Sequence, residues 1–187
     1  VSVPASIKQV GSLDIEGLAM DVVLQGEQVL VLRREELQAP VTTSLLVLDV
    51  AMPTAPRVIG TLDLPGGGSK VETLGSLAII ANGPDNGLDE KFRGLTDVDA
   101  SIPTAPRIVG GITLPGVLEL RLVGHIAYTV GNSFRVIDLS APGAPTEVGS
   151  LDLPTTAHDV DVHDGLASLA GDNANLLVVD VSAPDRP

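Results

Sequence analysis

The sequence predicts an all-β protein built from repeated four-stranded units, and three observations predict it. A phrase recurs four times: a short apolar strand ending in Asp, a Pro-containing turn, and a second strand opening on Gly. Its copies are Leu45–Gly60, Leu95–Gly110, Phe134–Gly149 and Leu176–Pro187. Two more apolar strands lie between successive copies, and helical periodicity with capping signals is absent, Arg33–Leu37 offering one turn at most. A period of roughly 40–50 residues made of strands alone points to a β-propeller.

Each repeat reads as strands a, b, c and d. The a strands are Leu18–Gln25, Lys70–Leu74, Leu118–Val123 and His158–His163, and the b strands are Gln28–Arg33, Leu77–Ala81, Ile126–Val130 and Leu166–Ala170. Gly26, Gly75, Gly124 and Gly165 sit between them, where a hairpin needs a left-handed residue. The c strands open the recurring phrase. The d strands, Arg57–Leu64, Arg107–Leu114 and Glu147–Leu153, mostly end in Leu-Pro, which stops a strand.

The phase of the repeats suggests how they close. The chain opens on a lone d-type strand, Lys8–Ile15, and its last repeat has a, b and c strands only. In a closed ring the opening strand completes the last blade and hides an edge that would otherwise template aggregation. The expectation is one domain over residues 1–187, with an outer strand at 8–15 and blades at 18–64, 70–114, 118–153 and 158–181. An open fragment of a larger propeller is the alternative.

Composition bounds the function. With 24 acidic and 11 basic residues the net charge is −13, which repels phosphate backbones and anionic membranes, so no nucleic-acid partner is expected. No run of 18 apolar residues occurs, so membrane insertion is not expected either. Cysteine and Trp are absent, and Tyr128, Phe92 and Phe134 are the only aromatic residues. Val, Leu, Ile and Ala must fill the core, which suits pleated, half-buried surfaces. The first residue is Val and no leader-like segment follows, so the chain is read as a processed product or a piece of something longer.

The strings Leu-Leu-Val-Leu-Asp and Leu-Leu-Val-Val-Asp, with Ser-Ala-Pro turns and Val-Gly-Ser-Leu-Asp-Leu-Pro, resemble LVIVD repeats. The resemblance is strongest over Phe134–Pro187 and departs in the second copy, where Leu-Thr-Asp-Val-Asp replaces the apolar string. It implies propeller blades and a location outside the cytoplasm or at the surface of a prokaryotic cell. It brings no catalytic motif.

Polar residues of the a strands converge on the expected channel: Asp21, Lys70, Glu119 and Asp159, with Arg121 and Asp161 two residues further on. Acids around one axis suit Ca²⁺. Paired with Lys70 and Arg121 they are instead a self-neutralised ring. On strand alternation Asp159, Asp161 and His163 share a face while His158 points to the other. The insertion Asn82–Glu90 is rich in oxygen ligands, and Asp85, Asp89 and Glu90 are the metal candidates there, although EF-hand spacing is missing. Gly171–Asn175 reads as a hairpin turn. Pro65–Lys70 has the composition of a phosphate loop in the wrong order, and the Pro-Thr-Ala-Pro segments are turns.

The leading functional expectation is a non-enzymatic interaction or scaffold module whose partner is a protein or the flanking domains of a longer chain. The recognition surface would lie on the longest loops, Arg34–Ser44 and Asn82–Arg93, through Arg33, Arg34, Glu35, Glu36, Asp85, Asn86 and Asp89. No cofactor is expected beyond a Ca²⁺ ion. The competing expectation is a divalent-cation-dependent hydrolase or lyase using Asp21, Glu119, Asp159 and Asp161.

Overall fold

The computed structural model describes residues 8–35, 42–83 and 93–183. Its strands are β1 (Leu18–Gln25), β2 (Gln28–Glu35), β3 (Thr42–Asp49), β4 (Arg57–Leu64), β5 (Gly68–Leu74), β6 (Leu77–Asn82), β7 (Gly94–Asp99) and β8 (Arg107–Thr113). They continue with β9 (Val117–Val123), β10 (Ile126–Gly131), β11 (Ser133–Asp138), β12 (Thr146–Asp152), β13 (Ala157–His163), β14 (Leu166–Gly171) and β15 (Leu176–Asp180). The expected fold class holds. Three four-stranded meanders, β1–β4, β5–β8 and β9–β12, are followed by the three-stranded β13–β15. All neighbours are antiparallel. The sole helical piece among the described residues is one 3₁₀ turn, Asp172–Ala174, within the expected hairpin connection.

Local chemistry explains why the meander repeats. Gly26, Gly75 and Gly124 carry φ near +60° at the first turn position of each a–b hairpin. The fourth hairpin has both Asp164 and Gly165 at positive φ, at 48° and 78°. Between c and d strands, the Ala55, Ala105 and Ala144 N–H groups close reverse turns on the carbonyls of Met52, Ile102 and Ala141. The c–d register then slips once, between Val47 and Leu48, Asp97 and Val98, and Val136 and Ile137. A bulge at one fixed place in each repeat sharpens the twist that lets sheets stack as blades.

Apolar layers join the sheets in chain order. Leu30, Leu32, Leu45 and Val47 of the first sheet meet Val71, Ala78, Ile80 and Val98 of the second. Ile79, Ala81 and Leu95 then meet Leu120, Ala127 and Ile137 of the third. Tyr128, Phe134 and Val136 meet Val160, Leu169 and Val179 of the fourth. Tyr128 and Phe134 stack there, with ring centroids 6.0 Å apart and planes at 21°. The inner strands pack β1 on β5, β5 on β9 and β9 on β13, with no comparable packing of β13 on β1.

The closure expected from the sequence is therefore not made. Lys8–Ile15 forms no strand, and β13–β15 has no fourth member among the described residues. A ring of four needs strongly wedge-shaped sheets with very close inner strands. Here the inner strands carry Lys70, Glu72, Glu119 and Arg121, whose long side chains span the gaps between them. The open arrangement, the alternative reading, describes the row. The end face of the last sheet is bare, Leu176 and Val178 of β15 being 70% and 60% exposed. On the outer face of the first sheet the inner strand is bare, Val22 and Leu24 of β1 being 61% and 65% exposed, while Val31, Leu46 and Leu48 are buried.

Lys8–Ile15 is nonetheless placed. Ile15 packs on the cluster of Val31, Leu46 and Leu48, and Gly11 lies so close to the Pro53 carbonyl oxygen that a Cβ would overlap it. Gly60 meets Pro103 and Gly110 meets Gly143 in the same manner. Gly11, Gly60 and Gly110 are thus seats for the c–d turn of the sheet that follows each. Lys8–Ile15 occupies the outer position of a blade that would precede the first.

Candidate functional site

The polar side chains expected in a channel form two ladders across the inner strands. In the first, Asp21 of β1 accepts a hydrogen bond from the Val71 N–H of β5 at 2.8 Å. Lys70 of β5 stands between Asp21 and Glu119 of β9, 3.9 Å from one carboxylate and 3.5 Å from the other. In the second, Arg121 of β9 lies 3.7 Å from Glu72 of β5 and 3.4 Å from Asp161 of β13. Each ladder runs acid–base–acid over three consecutive sheets. Period-two alternation puts these residues on matching faces, and the stepwise stacking brings them into line.

The electrostatics follow from burial and neighbours. Desolvation raises the Glu72 pKa above its ordinary value, opposed by Arg121 and then Lys70. Glu119 and Asp159, at equivalent positions, each accept a hydrogen bond from the next residue's N–H, at 3.0 and 2.9 Å. Asp159, Asp161 and the exposed His163 share the bare face of the last sheet, as alternation predicts. His158 instead pairs with Asp172 at 2.7 Å, outside that face. Among the described residues no group of three His, Cys, Asp or Glu side chains is arranged to hold a metal ion.

The loop candidates divide. Arg33 donates to Glu35 at 2.6 Å and to Ser44 at 3.3 Å, Thr42 donates to Glu35, and Ser44 donates to Asp63. Arg33 and Glu35 are thereby tied to the β2–β4 edge of the first sheet, and Arg34 is the last-but-one residue of β2. Glu36, Asp85, Asn86, Asp89 and Glu90 lie outside the described residues.

Sequence reasoning passed over a second recurring site. The Asp that ends each c strand caps the following turn: Asp49, Asp99, Asp138 and Asp180 accept from the N–H groups of Ala51, Ser101, Ser140 and Ser182 at 2.8–3.0 Å. Arg57 and Arg107 add salt bridges to Asp49 and Asp99. All four carboxyls are held below the ordinary value. The chief cause is the Arg57 hydrogen bond for Asp49, the Ser101 and Ser182 hydroxyls for Asp99 and Asp180, and the Ser140 N–H for Asp138. The signal was present as an Asp at a fixed phase with a basic residue eight positions later in two copies. These are structural caps in an apolar repeat.

Comparison with known families gives two consecutive matches to the LVIVD repeat, at residues 119–153 and 154–187. The third and fourth sheets are thus the part of the chain that is similar to LVIVD repeats. Each match begins within or just before an inner strand; the first covers the four-stranded β9–β12 meander and the second the three-stranded β13–β15. The first two sheets share the antiparallel meander and the Asp cap. No curated protein matches the chain.

Proposed function

We propose that the chain is a non-enzymatic, propeller-like interaction or scaffold module of an exported or cell-surface prokaryotic protein. The supporting observation is the use made of its converging charges. Lys70 and Arg121 each lie between two carboxylates from flanking sheets, so the groups best placed for acid–base or metal chemistry hold the sheets together. The LVIVD match supports a repeat scaffold, and rigid repeat stacks present extended surfaces for partners. The net charge of −13 directs the module toward neutral or basic protein surfaces.

Thermal melting tests this reading. A module without a structural ion melts at one temperature in EDTA and in millimolar Ca²⁺, and Asp159→Ala leaves the response to both unchanged. A rise of several degrees with Ca²⁺ that Asp159→Ala abolishes would replace it with the metal-dependent hydrolase or lyase. Fractionation of the source cells tests the location, with recovery in the cytosol counting against export.

A further inference from the structure

We infer that the Pro142–Gly143 peptide is a two-position element governed by Asp97: it turns its N–H to the carboxylate, and its C=O once the carboxyl is protonated. The three c–d turns share one hydrogen bond, from the N–H groups of Ala55, Ala105 and Ala144 to the carbonyls of Met52, Ile102 and Ala141. Each has Pro at its first central position, and the second holds Thr54, Thr104 or Gly143. Of these three, Gly143 alone has a positive φ, 77°. Pro followed by a left-handed residue makes a type II turn, which differs from type I by reversal of the central peptide.

The seats between sheets record that reversal. The Pro103 carbonyl oxygen lies against Gly60, whereas against Gly110 it is the Gly143 carbonyl that lies there. Gly60 pairs across its sheet with Val47, and Gly110 with Asp97. A C=O beside Val47 meets no charge. Beside Asp97 it would face a carboxylate, and here the turn presents the Gly143 N–H instead, 3.2 Å from Oδ2. The reversed peptide falls at the joint whose c strand carries an acid.

Protonation removes the reason for this orientation. A neutral carboxyl has an O–H to donate, and a type I turn offers it the Pro142 C=O. Oδ1 of Asp97 is buried and has no hydrogen-bond partner in the present turn. Glycine adopts either backbone form at little cost, so the exchange strains nothing.

The surroundings leave Asp97 to this one partner. Its cross-strand neighbours are Ile79 and Gly110, and by alternation it shares a face with Leu95, whose apolar layer includes Ala127 and Ile137 of the third sheet. The charged groups toward this joint are Asp99, paired with Arg107 at 2.7 Å, and His125, which acts on Asp138. The turn Ala141–Ala144 carries no charge. Burial raises the Asp97 pKa and the Gly143 N–H opposes it, so the proton arrives at a higher pH than on an ordinary carboxyl. Pro142 also borders an open cavity of about 640 Å³ between the second and third sheets, with Leu74, Val109 and His125. Acidification therefore changes which polar group a turn at that cavity presents.

Nuclear magnetic resonance reads the orientation directly. Labelling the Pro carbonyl carbon and the Gly nitrogen marks only the bonds Pro65–Gly66, Pro115–Gly116 and Pro142–Gly143 in this chain. The present turn sets the Pro142 Hα close to the Gly143 N–H, giving a strong nuclear Overhauser effect that weakens in a type I turn. From pH 7 to pH 4 that signal should fall about twofold or more, in step with titration of the Asp97 carboxyl carbon and at unchanged circular dichroism. Asp97→Val, the residue of the other copies, should make the signal independent of pH. Gly143→Thr disfavours the positive φ and turns the C=O toward the carboxylate. It should destabilise at pH 7 and lose most of that effect by pH 4, because a carboxyl pKa raised further costs less as pH falls. A titrating Asp97 with a constant signal, no titration above pH 4, or the same change in Asp97→Val would each overturn the proposal. A Gly143→Thr penalty that ignores pH would overturn it too, by showing that the turn stays in its present form under strain. None of these outcomes depends on whether the module is an enzyme.

Discussion

Asp97 of β7 accepts a hydrogen bond from the Gly143 N–H at 3.2 Å, across the joint between the second and third sheets. Equivalent positions in the other copies hold Val47, Val136 and Val178. Asp97 is buried, its Oδ1 has no hydrogen-bond partner, and desolvation raises its pKa against the pull of the Gly143 bond. A raised carboxyl pKa means that the charged form costs stability above the folded value, and the cost fades as pH falls through it. Asp97→Asn keeps an acceptor for Gly143 and removes the charge, so it should stabilise by on the order of 1 kcal/mol at neutral pH. The gain should shrink toward pH 4. Asp97→Val leaves the Gly143 N–H unmet and should stabilise less; paired denaturation curves at two pH values check both.

The four turn-capping aspartates predict the opposite acid response. Their folded pKa values are lowered, so their contribution is fully present above the ordinary value of 3.8 and lost as pH falls through the folded values. Asp99→Ala should lower the melting temperature at pH 7 and flatten its decline between pH 5 and about 2, the range set by such depressed carboxyls. An unchanged slope would show that the cap contributes nothing on acidification.

Gly60→Ala tests the seat between sheets. The added methyl meets the Pro103 carbonyl, a backbone atom that cannot rotate away. Destabilisation of about 1–3 kcal/mol is expected, with the first and second sheets loosening together in hydrogen exchange. Gly110→Ala should shift the same effect one joint along, onto the Gly143 turn.

Lys70→Met removes the cation shared by Asp21 and Glu119, which are both largely buried. Loss of about 1 kcal/mol is expected in low salt, with a smaller difference in high salt as screening relieves the two carboxylates. Lys70→Met with Glu119→Gln should recover part of that loss. Additive losses in the double variant would mean that the ladder is not coupled.

Much of this architecture was legible because it repeats. Period-two alternation and recurring turns placed fourteen further strands as surely as Leu18–Gln25, whereas Lys8–Ile15, read as a lone outer strand, forms none. Closure was not legible. It depends on how far each sheet turns from the last, which a strand pattern does not encode, whereas the ion pairs of Lys70 and Arg121 between inner strands are seen only once the sheets are stacked. The ladders were visible only in part. Lys70 and Glu119 announced themselves as charges at one phase, but the role of Glu72 needed the offset between sheets that couples it to Arg121. The burial of Asp97 was hidden for the same reason, since its partner is 46 residues away in the chain.

The stacked Tyr128 has a practical consequence. It is the sole strongly emitting chromophore of a protein without Trp, and it sits in one seam, between the third and fourth sheets. Intrinsic fluorescence therefore watches that seam alone, while circular dichroism averages over all of them. If the row melts sheet by sheet from its bare ends, the two signals will part company, and their separation measures how far cooperativity extends along the stack.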